Sequence, residues 1–376
     1  MRPRPSGHAR GWRTPILQSE SAAGITSSRG SFWSDFSNGN QVLAVRDRAS
    51  GVETIRHIKD MGFKDFYTSI NIEGELDGRI EQILCLVEGE TASLITRLLN
   101  PFIPFSLEEQ DRLQLAQFIA FQLVRGPRQR REIELTIDWT MKSTHGHLWT
   151  SGELSEIVVT PHPNEHLRMM CGFAESLANL LYDRPVTMVT LDQSLLLISD
   201  EPAVAIGNGN YVEHAPECFV AAPTAEDLRR RRRKDRRKPK LQHAHVFPAR
   251  PAPAAAPEIG FPVSPRAALI FGDRGSKLPD GHQALTGAEA EAFARDLNLC
   301  IIENAYEWVA ANPDHPTFSK MKFPPVGPIL SVCDGGSAMS KQLEQPPHPR
   351  RPERLPGVAW TFQNEKRPNL RITKEE

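Results

Sequence analysis

The chain has 376 residues, of which 39% are hydrophobic and 31 are proline, and its formal net charge is -1. That length allows one large domain or two of ordinary size, and the near-neutral charge argues neither for nor against a nucleic-acid partner. No apolar run approaches the roughly 20 residues of a membrane-spanning helix. The five cysteines are scattered without a C-x-x-C pair, which argues against a disulfide framework or a zinc ribbon. The sequence therefore predicts a cytoplasmic protein without membrane contact.

The first part of the chain changes from unpatterned to periodic. Residues 1–30 lack apolar periodicity, which predicts a disordered N-terminus. Apolar and polar residues alternate over Gln41–Arg48 and again over Val52–Ile58, and a glycine-containing turn lies between them, so a β-hairpin is expected. Apolar residues then recur at helical spacing from Ile80 to Leu98, which predicts the first long helix.

Three further helices are predicted before the main strands. Ser106 followed by Glu109 is a capping-box pattern, and the helix that it starts is expected to reach Leu123. Gly126-Pro127 interrupts this pattern, and proline favours the first position of a helix, so a new helix is predicted from Pro127. Helical spacing also predicts a helix from Glu165 to Leu181.

The second half of the chain contains the predicted sheet. Short strands are expected at Val186–Val189, Leu195–Ile198 and Ala203–Ile206, and the sheet resumes over Ile259–Gly272. An amphipathic helix over Gly287–Ala311 is expected to close the domain.

Two segments have a composition that does not support a packed core. Residues 213–257 contain the basic run RRRRRKDRRKPK, from Arg229 to Lys240, followed by PARPAPAAAP, from Pro248 to Pro257. Such composition favours extended conformations, so this segment is predicted to be a disordered insertion. Residues 313–376 are rich in proline and charge and are predicted to be a disordered tail.

The grouping of the predicted elements indicates the fold class. Helices and strands occur in groups rather than in strict alternation, which favours an α+β fold over a doubly wound parallel sheet. We expect one large domain over residues 32–312, in which a helical layer packs on a small, mainly antiparallel sheet.

Several short motifs occur in a fixed order along the chain. They are Phe66-Tyr67, Glu81 with Glu88, Arg125-Gly126-Pro127, Ser199-Asp200-Glu201-Pro202, Phe261-Pro262-Val263-Ser264-Pro265, and Asn298 with Ala305. In this order they resemble the bacterial domain-of-unknown-function family 4238. The resemblance implies a fold and candidate site residues, and it names no reaction.

The resemblance breaks off at the front of the chain. The family's opening H-x-x-P motif is absent, and the sequence SSRGSF stands in its place. A site that used this histidine would be incomplete here. The abrupt break leads to the hypothesis that residues 1–30 derive from a different reading frame or start site.

Ser199 and Asp200 lie between two apolar stretches and have two interpretations. Side chains of this type often bond their own backbone two residues further on and fix a turn, and Pro202 adds a fixed φ angle. Alternatively, Asp200 is a metal ligand or a general base and Ser199 orients it, since loops at strand ends often carry such groups.

Three carboxylates lie near one stripe of the first predicted helix. Asp77, Glu81 and Glu88 would repel one another there unless they are solvated, paired or bound to a cation. A solvated face is the simplest interpretation, and a divalent-metal face is the alternative. Arg125, at the end of an apolar helix, could hold Glu81 or Glu88 in a buried ion pair or could bind phosphate.

The histidines and the basic run give less specific signals. His162 and His166 are candidate metal ligands, although Pro163 disturbs the helical spacing between them and no H-E-x-x-H motif occurs. A solvated segment without a function is the simplest interpretation of the basic run, and nonspecific nucleic-acid binding with steep salt dependence is the alternative. Its predicted binding residues are Arg229, Arg230, Arg231, Arg232, Arg233, Lys234, Arg236 and Arg237.

The sequence favours a hydrolase-type enzyme among several classes. It has no phosphate-binding P-loop, dinucleotide-binding or G-x-S-x-G motif, so the chemistries that depend on these motifs lack support. The acidic residues are instead expected to converge with Arg125 on a site that hydrolyses a phosphodiester or related bond, with a divalent metal as a candidate cofactor. Two alternatives remain open, namely a noncatalytic nucleic-acid or protein interaction module and a degenerate, inactive paralogue. The predicted catalytic residues are Asp200, Ser199, Glu81, Glu88 and Arg125.

Overall fold

A computed structural model describes most of the region in which the elements were predicted. The described residues are 34–61, 69–70, 76–145, 157–207, 219–220, 243–248, 252–274, 279–326, 329–334, 340–342 and 370–374. Residues 1–30, the Phe66-Tyr67 motif and the basic run lie outside the described residues.

Long helices account for much of the described chain. They are α1 (Arg79–Leu98), α2 (Glu109–Val124), α3 (Pro127–His145), α4 (Pro163–Tyr182) and α5 (Gly287–Asn304), with short 3-10 helices at Ile58–Asp60 and Phe318–Lys320. None of these described helices combines the length and apolar character that crossing a bilayer requires.

The strands are short. In chain order they are β1 (Val42–Asp47), β2 (Glu53–His57), β3 (Ser69–Ile70), β4 (Leu76–Asp77), β5 (Ile157–Pro161), β6 (Val186–Leu191), β7 (Ile198–Ser199), β8 (Val204–Ile206), β9 (Phe219–Val220), β10 (His243–Pro248), β11 (Glu258–Ser264), β12 (Ala267–Phe271), β13 (Gly281–Leu285), β14 (Trp308–Ala311), β15 (Leu330–Asp334), β16 (Ser340–Gln342) and β17 (Leu370–Lys374).

The strands form mainly antiparallel sheets. A five-stranded sheet has the order β13-β6-β12-β11-β8, and a four-stranded sheet has the order β2-β1-β14-β7. Within these two sheets, only the β13–β6 pair is parallel. A further four-stranded sheet runs β16-β15-β10-β9, and the pairs β17-β5 and β3-β4 complete the described ladders.

A helical layer covers the five-stranded sheet, as the α+β prediction requires. Phe118 of α2 meets Phe261 of β11 edge to face, with ring centroids 5.2 Å apart, and both rings are buried. Apolar residues of α1, α2 and α4 share this core with one face of the sheet. A second core lies where α5 packs between the two large sheets. Burial of these apolar faces is the main force that holds the layers together.

The β-hairpin and most predicted helices are confirmed. β1 and β2 pair with Ala44 opposite Ile55, α1 and α4 lie where helical spacing placed them, and α3 begins at Pro127 as its proline predicted. The predicted capping box at Ser106 is wrong, because α2 begins later. Glu108 is the N-cap, and the carboxylate of Asp111 accepts the Glu108 N–H at 3.0 Å. Arg97 of α1 also pairs with Asp111 at 2.5 Å, so a tertiary contact helps to select this cap.

Two predicted elements of the second half have different boundaries. The closing helix ends at Asn304, and Trp308–Ala311 is the buried strand β14, which pairs with β1 and β7. A short apolar run of this kind fits a buried strand or a helix equally well in the sequence. Leu195–Leu197 is not a strand: Leu196 donates its N–H to Pro265 O and Leu197 donates to Asn298 Oδ1.

The packed region also extends into segments for which no packing was predicted. Phe318 is buried, and its carbonyl accepts a hydrogen bond from Arg46 Nη2 at 2.8 Å. Ala256 is buried, and Arg184 Nη2 donates to its carbonyl at 2.8 Å. His243–Pro248 forms β10. Parts of the predicted insertion and of the predicted tail therefore belong to the fold.

Candidate active site

The junction between α2 and α3 meets the turn Ser199–Pro202. At Gly126, an added Cβ would collide with the carboxylate of Glu201. This carboxylate is buried, with Glu201 only 1% exposed, and it accepts the backbone N–H of Arg128 at 2.6 Å. A larger residue at position 126 would therefore force the Glu201 carboxylate away from the Arg128 N–H.

Glu201 acts as an N-terminal cap that comes from a distant part of the chain. The first N–H groups of a helix have no partner within it and carry partial positive charge. Pro127 lacks an N–H, so Arg128 presents the first free amide of α3, and Glu201 binds it. Asn304, at the end of α5, donates from Nδ2 to the Glu201 carbonyl at 3.1 Å. The turn is thus tied to both helices.

Ser199 has the turn-forming role that is one of its two predicted interpretations. Its hydroxyl oxygen accepts the N–H of Glu201, two residues on, at 3.2 Å. The residue is fully buried. This bond orders the backbone that presents Asp200 and Glu201.

The Asp200 side chain hydrogen-bonds to backbone amides that follow α5 rather than to amides of its own turn. Its Oδ1 accepts the Tyr306 N–H at 3.1 Å, and its Oδ2 accepts the Glu307 N–H at 2.6 Å. Burial raises the pKa of the Asp200 carboxyl well above its usual range, and the carboxylates of Glu201 and Glu307 raise it further, whereas the two amide bonds oppose this. Each carboxyl oxygen has two lone pairs, so the two amides leave room for a proton on Asp200.

Arg48 places a buried guanidinium near Asp200 and Arg128. It directly follows β1 and is 7% exposed, and its Nη1 donates to Pro324 O at 3.1 Å. Its Nε and Nη2 are buried and bind no acceptor in the described part of the chain. Burial lowers the pKa of Arg48, the charges of Asp200 and Glu303 raise it, and Arg128 lowers it. The guanidinium stays protonated in a protein. We call Arg48, Arg128, Asp200 and Glu201 the junction cluster.

Arg128 completes the junction cluster. Its side chain is buried; Nη1 donates to Glu303 O at 3.2 Å, and Nε lies 3.4 Å from Glu132 Oε1 on the next turn of α3. Two guanidinium groups and two carboxyl groups therefore share one largely dehydrated region, where electrostatic interactions are strong.

The structure brings together some of the predicted site residues. Arg125 donates from Nη1 to Glu88 Oε1 and from Nη2 to Gln122 Oε1 at 2.8 Å, and the Glu88 side chain is 4% exposed. The predicted buried ion pair is thus present, with Glu88 as the partner. Because Arg125 precedes Gly126, this pair lies beside the junction cluster in the chain.

Glu81 and Asp77 do not join Glu88. Glu81 lies in the first turn of α1, seven residues before Glu88, which is about 10 Å along the helix axis. Asp77 lies in β4 before the helix begins, and its carboxylate accepts the Arg79 N–H at 3.0 Å. Asp77 therefore does not belong to the acidic stripe expected from the sequence, because the helix starts after it, whereas Glu81 and Glu88 lie two turns apart on one face of α1.

A second group of charged residues continues along α3. The Glu134 carboxylate contacts three side chains. Its Oε2 accepts a hydrogen bond from Arg131 Nη1 at 2.9 Å, and its Oε1 lies 3.5 Å from Arg130 Nε and 3.8 Å from His166 Nε2 of α4. The phenol of Tyr306 has a raised pKa, mainly because of burial, while the charge of Arg131 opposes the shift and those of Glu307, Glu134 and Asp200 add to it. We call Arg131, Glu134, His166 and Tyr306 the Glu134 cluster.

Metal and nucleic-acid ligands were also predicted from the sequence. In the described ranges, no group of three or more His, Cys, Asp and Glu side chains is arranged to hold a metal ion. His162 instead caps α4, since its Nδ1 accepts the Asn164 N–H at 3.2 Å. The predicted nucleic-acid-binding residues Arg229–Arg237 lie outside the described residues.

The fold and the junction cluster define an α+β protein with a buried charged site between helices and turn. The family described as protein of unknown function (DUF4238) matches residues 26–315, which is well over half of the chain, and the chain belongs to that family. No curated protein and no solved structure matches it. The match includes Arg125–Pro127 and Ser199–Pro202, which form the junction.

Proposed function

We propose that the chain is a hydrolase-type enzyme that cleaves a phosphodiester or a related anionic ester at the junction cluster. The observation that carries this proposal is Arg48, whose buried Nε and Nη2 groups bind no acceptor among the described residues. The guanidinium lies over the Phe323 ring, with Cζ 5.5 Å from the ring centroid, but this contact supplies no hydrogen-bond acceptor. Buried donors without an acceptor cost free energy. A phosphate or carboxylate oxygen supplies one, and guanidinium groups match its geometry.

Asp200 supplies the second part of this chemistry. Its raised pKa keeps a larger share of the carboxyl protonated near neutral pH than an exposed aspartate would keep. The protonated acid gives its proton to the leaving oxygen as the ester bond breaks, and a water molecule forms the new bond at the phosphorus or carbonyl carbon. Arg48 stabilises the negative charge that develops on the substrate.

Four residues near Asp200 and Arg48 have supporting roles in this proposal. Ser199 and Glu201 order the turn that presents Asp200. Glu88 and Arg125 join α1 to the end of α2, next to Gly126. They position the centre and do not contact the substrate.

A diester assay tests the proposal. Bis(4-nitrophenyl) phosphate is incubated with the full chain, with Arg48→Met and with Asp200→Asn, each in Mg²⁺ and in chelator. We expect each variant to lose about 100-fold or more in kcat/KM, the usual cost of removing one oxyanion donor or one general acid. Arg79→Met, at an exposed ion pair, is the matched control and keeps wild-type activity. Wild-type protein without hydrolysis, or Arg48→Met with full activity, would contradict the proposal.

A second candidate function is nonspecific nucleic-acid binding in the cytoplasm. It is supported by the ten arginine and lysine residues in the run Arg229–Lys240. Such a run releases counterions from a polyanion, so affinity falls steeply with salt. Deleting residues 229–240 is expected to abolish binding to a single-stranded oligonucleotide and to leave diester hydrolysis unchanged. Salt-independent binding, or binding that survives the deletion, would argue against this function.

A further inference from the structure

The Glu134 cluster contains polar groups that the proposed chemistry has not used. His166 Nε2 and Arg131 Nε are buried and hydrogen-bond to no group in the described ranges. The His166 side chain is 8% exposed, and its Nε2 lies 3.8 Å from Glu134 Oε1. That separation exceeds a direct hydrogen bond.

The Glu134 cluster and the junction cluster occupy the same helix. Glu134 follows Arg128 by six residues, a rise of about 9 Å along α3. Tyr306 connects the clusters. Its N–H donates to the Asp200 carboxylate, and the charges of Arg131 and Glu134 affect the pKa of its phenol. The two clusters thus lie along one helix and both act on Tyr306.

We propose that His166 is the general base of the reaction and that Glu134 and Arg131 position the attacking water beside it. The inference rests on the proposed hydrolase function and supplies the general base, to which that function has so far assigned no residue. The imidazole is held from α4, and Glu134 reaches it from α3.

The proton transfers balance in this arrangement. The water oxygen attacks the phosphorus or carbonyl carbon, and one water proton passes to a ring nitrogen of His166. The bond to the leaving oxygen breaks, and that oxygen takes the proton of Asp200. His166 then carries the added proton and Asp200 is ionised, and exchange with solvent restores both groups.

Burial of His166 keeps its imidazole in the neutral form that a base requires. Burial lowers the pKa of His166, the interaction with Glu134 raises it, and the charge of Arg130 lowers it. His166 is therefore neutral near pH 7 and able to accept a proton. Burial opposes ionisation of Glu134, yet His166, Arg130 and Arg131 together lower its pKa to about 2. Glu134 is thus a fixed negative charge rather than a competing base.

His166→Gln tests the inference with three readouts. With bis(4-nitrophenyl) phosphate, kcat is expected to fall about 100-fold or more, and the loss of rate at low pH that protonation of His166 causes in the wild type disappears. Affinity for inorganic phosphate, measured by calorimetry, stays at the wild-type value because Arg48 is intact. Added imidazole is expected to restore part of the rate. His282→Gln, at an exposed histidine, is the control and keeps wild-type kinetics.

The outcomes separate this inference from the proposed function. A His166→Gln variant that is folded by circular dichroism and retains both kcat and the low-pH decline overturns the inference alone. A variant that is inactive, binds no phosphate and is not rescued by imidazole also overturns it, since His166 then has a structural role. A wild-type chain that binds phosphate but hydrolyses no ester contradicts the proposed function itself.

Discussion

Gly126 leaves the space that the carboxylate of Glu201 occupies, and through this contact the start of α3 is joined to the turn that carries Asp200. The two residues are distant in sequence. Their contact aligns Arg128, Asp200 and Glu201 in one buried region. The stability of this junction and the charge state of Asp200 are therefore linked, and both can be measured.

Gly126→Ala is expected to destabilise the chain. The added methyl group meets the Glu201 carboxylate, which must then move away from the Arg128 N–H. Overpacking of this kind costs about 1–3 kcal/mol, which urea unfolding measures. Gly89→Ala is the matched control, because Gly89 lies within α1 and has open space around its α-carbon. Alanine is expected to stabilise α1 there, by up to about 1 kcal/mol. Equal destabilisation of the two variants would show that Glu201 does not fill this space.

The buried pair of Glu88 and Arg125 is expected to be structural. Removing one partner, as in Glu88→Gln or Arg125→Met, leaves a buried charge without compensation and costs about 3–5 kcal/mol. The double variant Glu88→Met, Arg125→Met should lose less than the sum of the two single changes, because no charge remains unpaired. A double-mutant cycle of unfolding free energies measures this coupling. Additive losses would mean that the ion pair contributes nothing.

Asp200 is expected to make stability fall as pH rises. Its pKa is raised on folding, so the folded state holds the proton more tightly than the unfolded state does. Its stabilising contribution is complete below the ordinary value of 3.8 and is lost as pH increases through the folded pKa. The unfolding free energy of wild type minus that of Asp200→Asn should therefore decrease from pH 4 to pH 8. A difference that is constant or increases with pH would contradict the raised pKa.

Glu134 is expected to show the opposite pH dependence. Folding lowers its pKa from 4.5 to about 2, so its contribution is present above pH 4.5 and is lost as pH falls toward 2. A shift of this size corresponds to about 3 kcal/mol. Glu134→Gln should remove this acid-dependent loss, whereas Glu291→Gln, at an exposed position on α5, should retain it. Urea unfolding between pH 2.5 and pH 6 measures the effect, and parallel curves for wild type and Glu134→Gln would refute it.

Local patterns predicted the elements better than they predicted the contacts between them. The alternation in the β1–β2 hairpin and the helical spacing of α1 and α4 reflect burial on one face, which a sequence displays directly. The run Trp308–Ala311 did not reveal its structure, because a fully buried strand lacks the alternation that marks a half-buried one.

The candidate site was predicted only in part. Ser199, Asp200, Glu88 and Arg125 were identified as motif residues. Glu201 was passed over because it caps a helix that begins 74 residues earlier in the chain, from Pro127. Arg48 appeared to belong only to a hairpin, and no local pattern indicates that its guanidinium is buried beside Asp200. Proline at the start of α3 was the one available signal, since such a helix start needs an acceptor from elsewhere.

Thermal unfolding with inorganic phosphate tests the central claim, that Arg48 forms an anion site beside Asp200. A ligand that binds only the folded state raises Tm by mass action. We predict that phosphate raises the Tm of the wild type and of the Arg79→Met control equally and leaves that of Arg48→Met unchanged. An unchanged Tm in the wild type, or an equal rise in Arg48→Met, would contradict the claim.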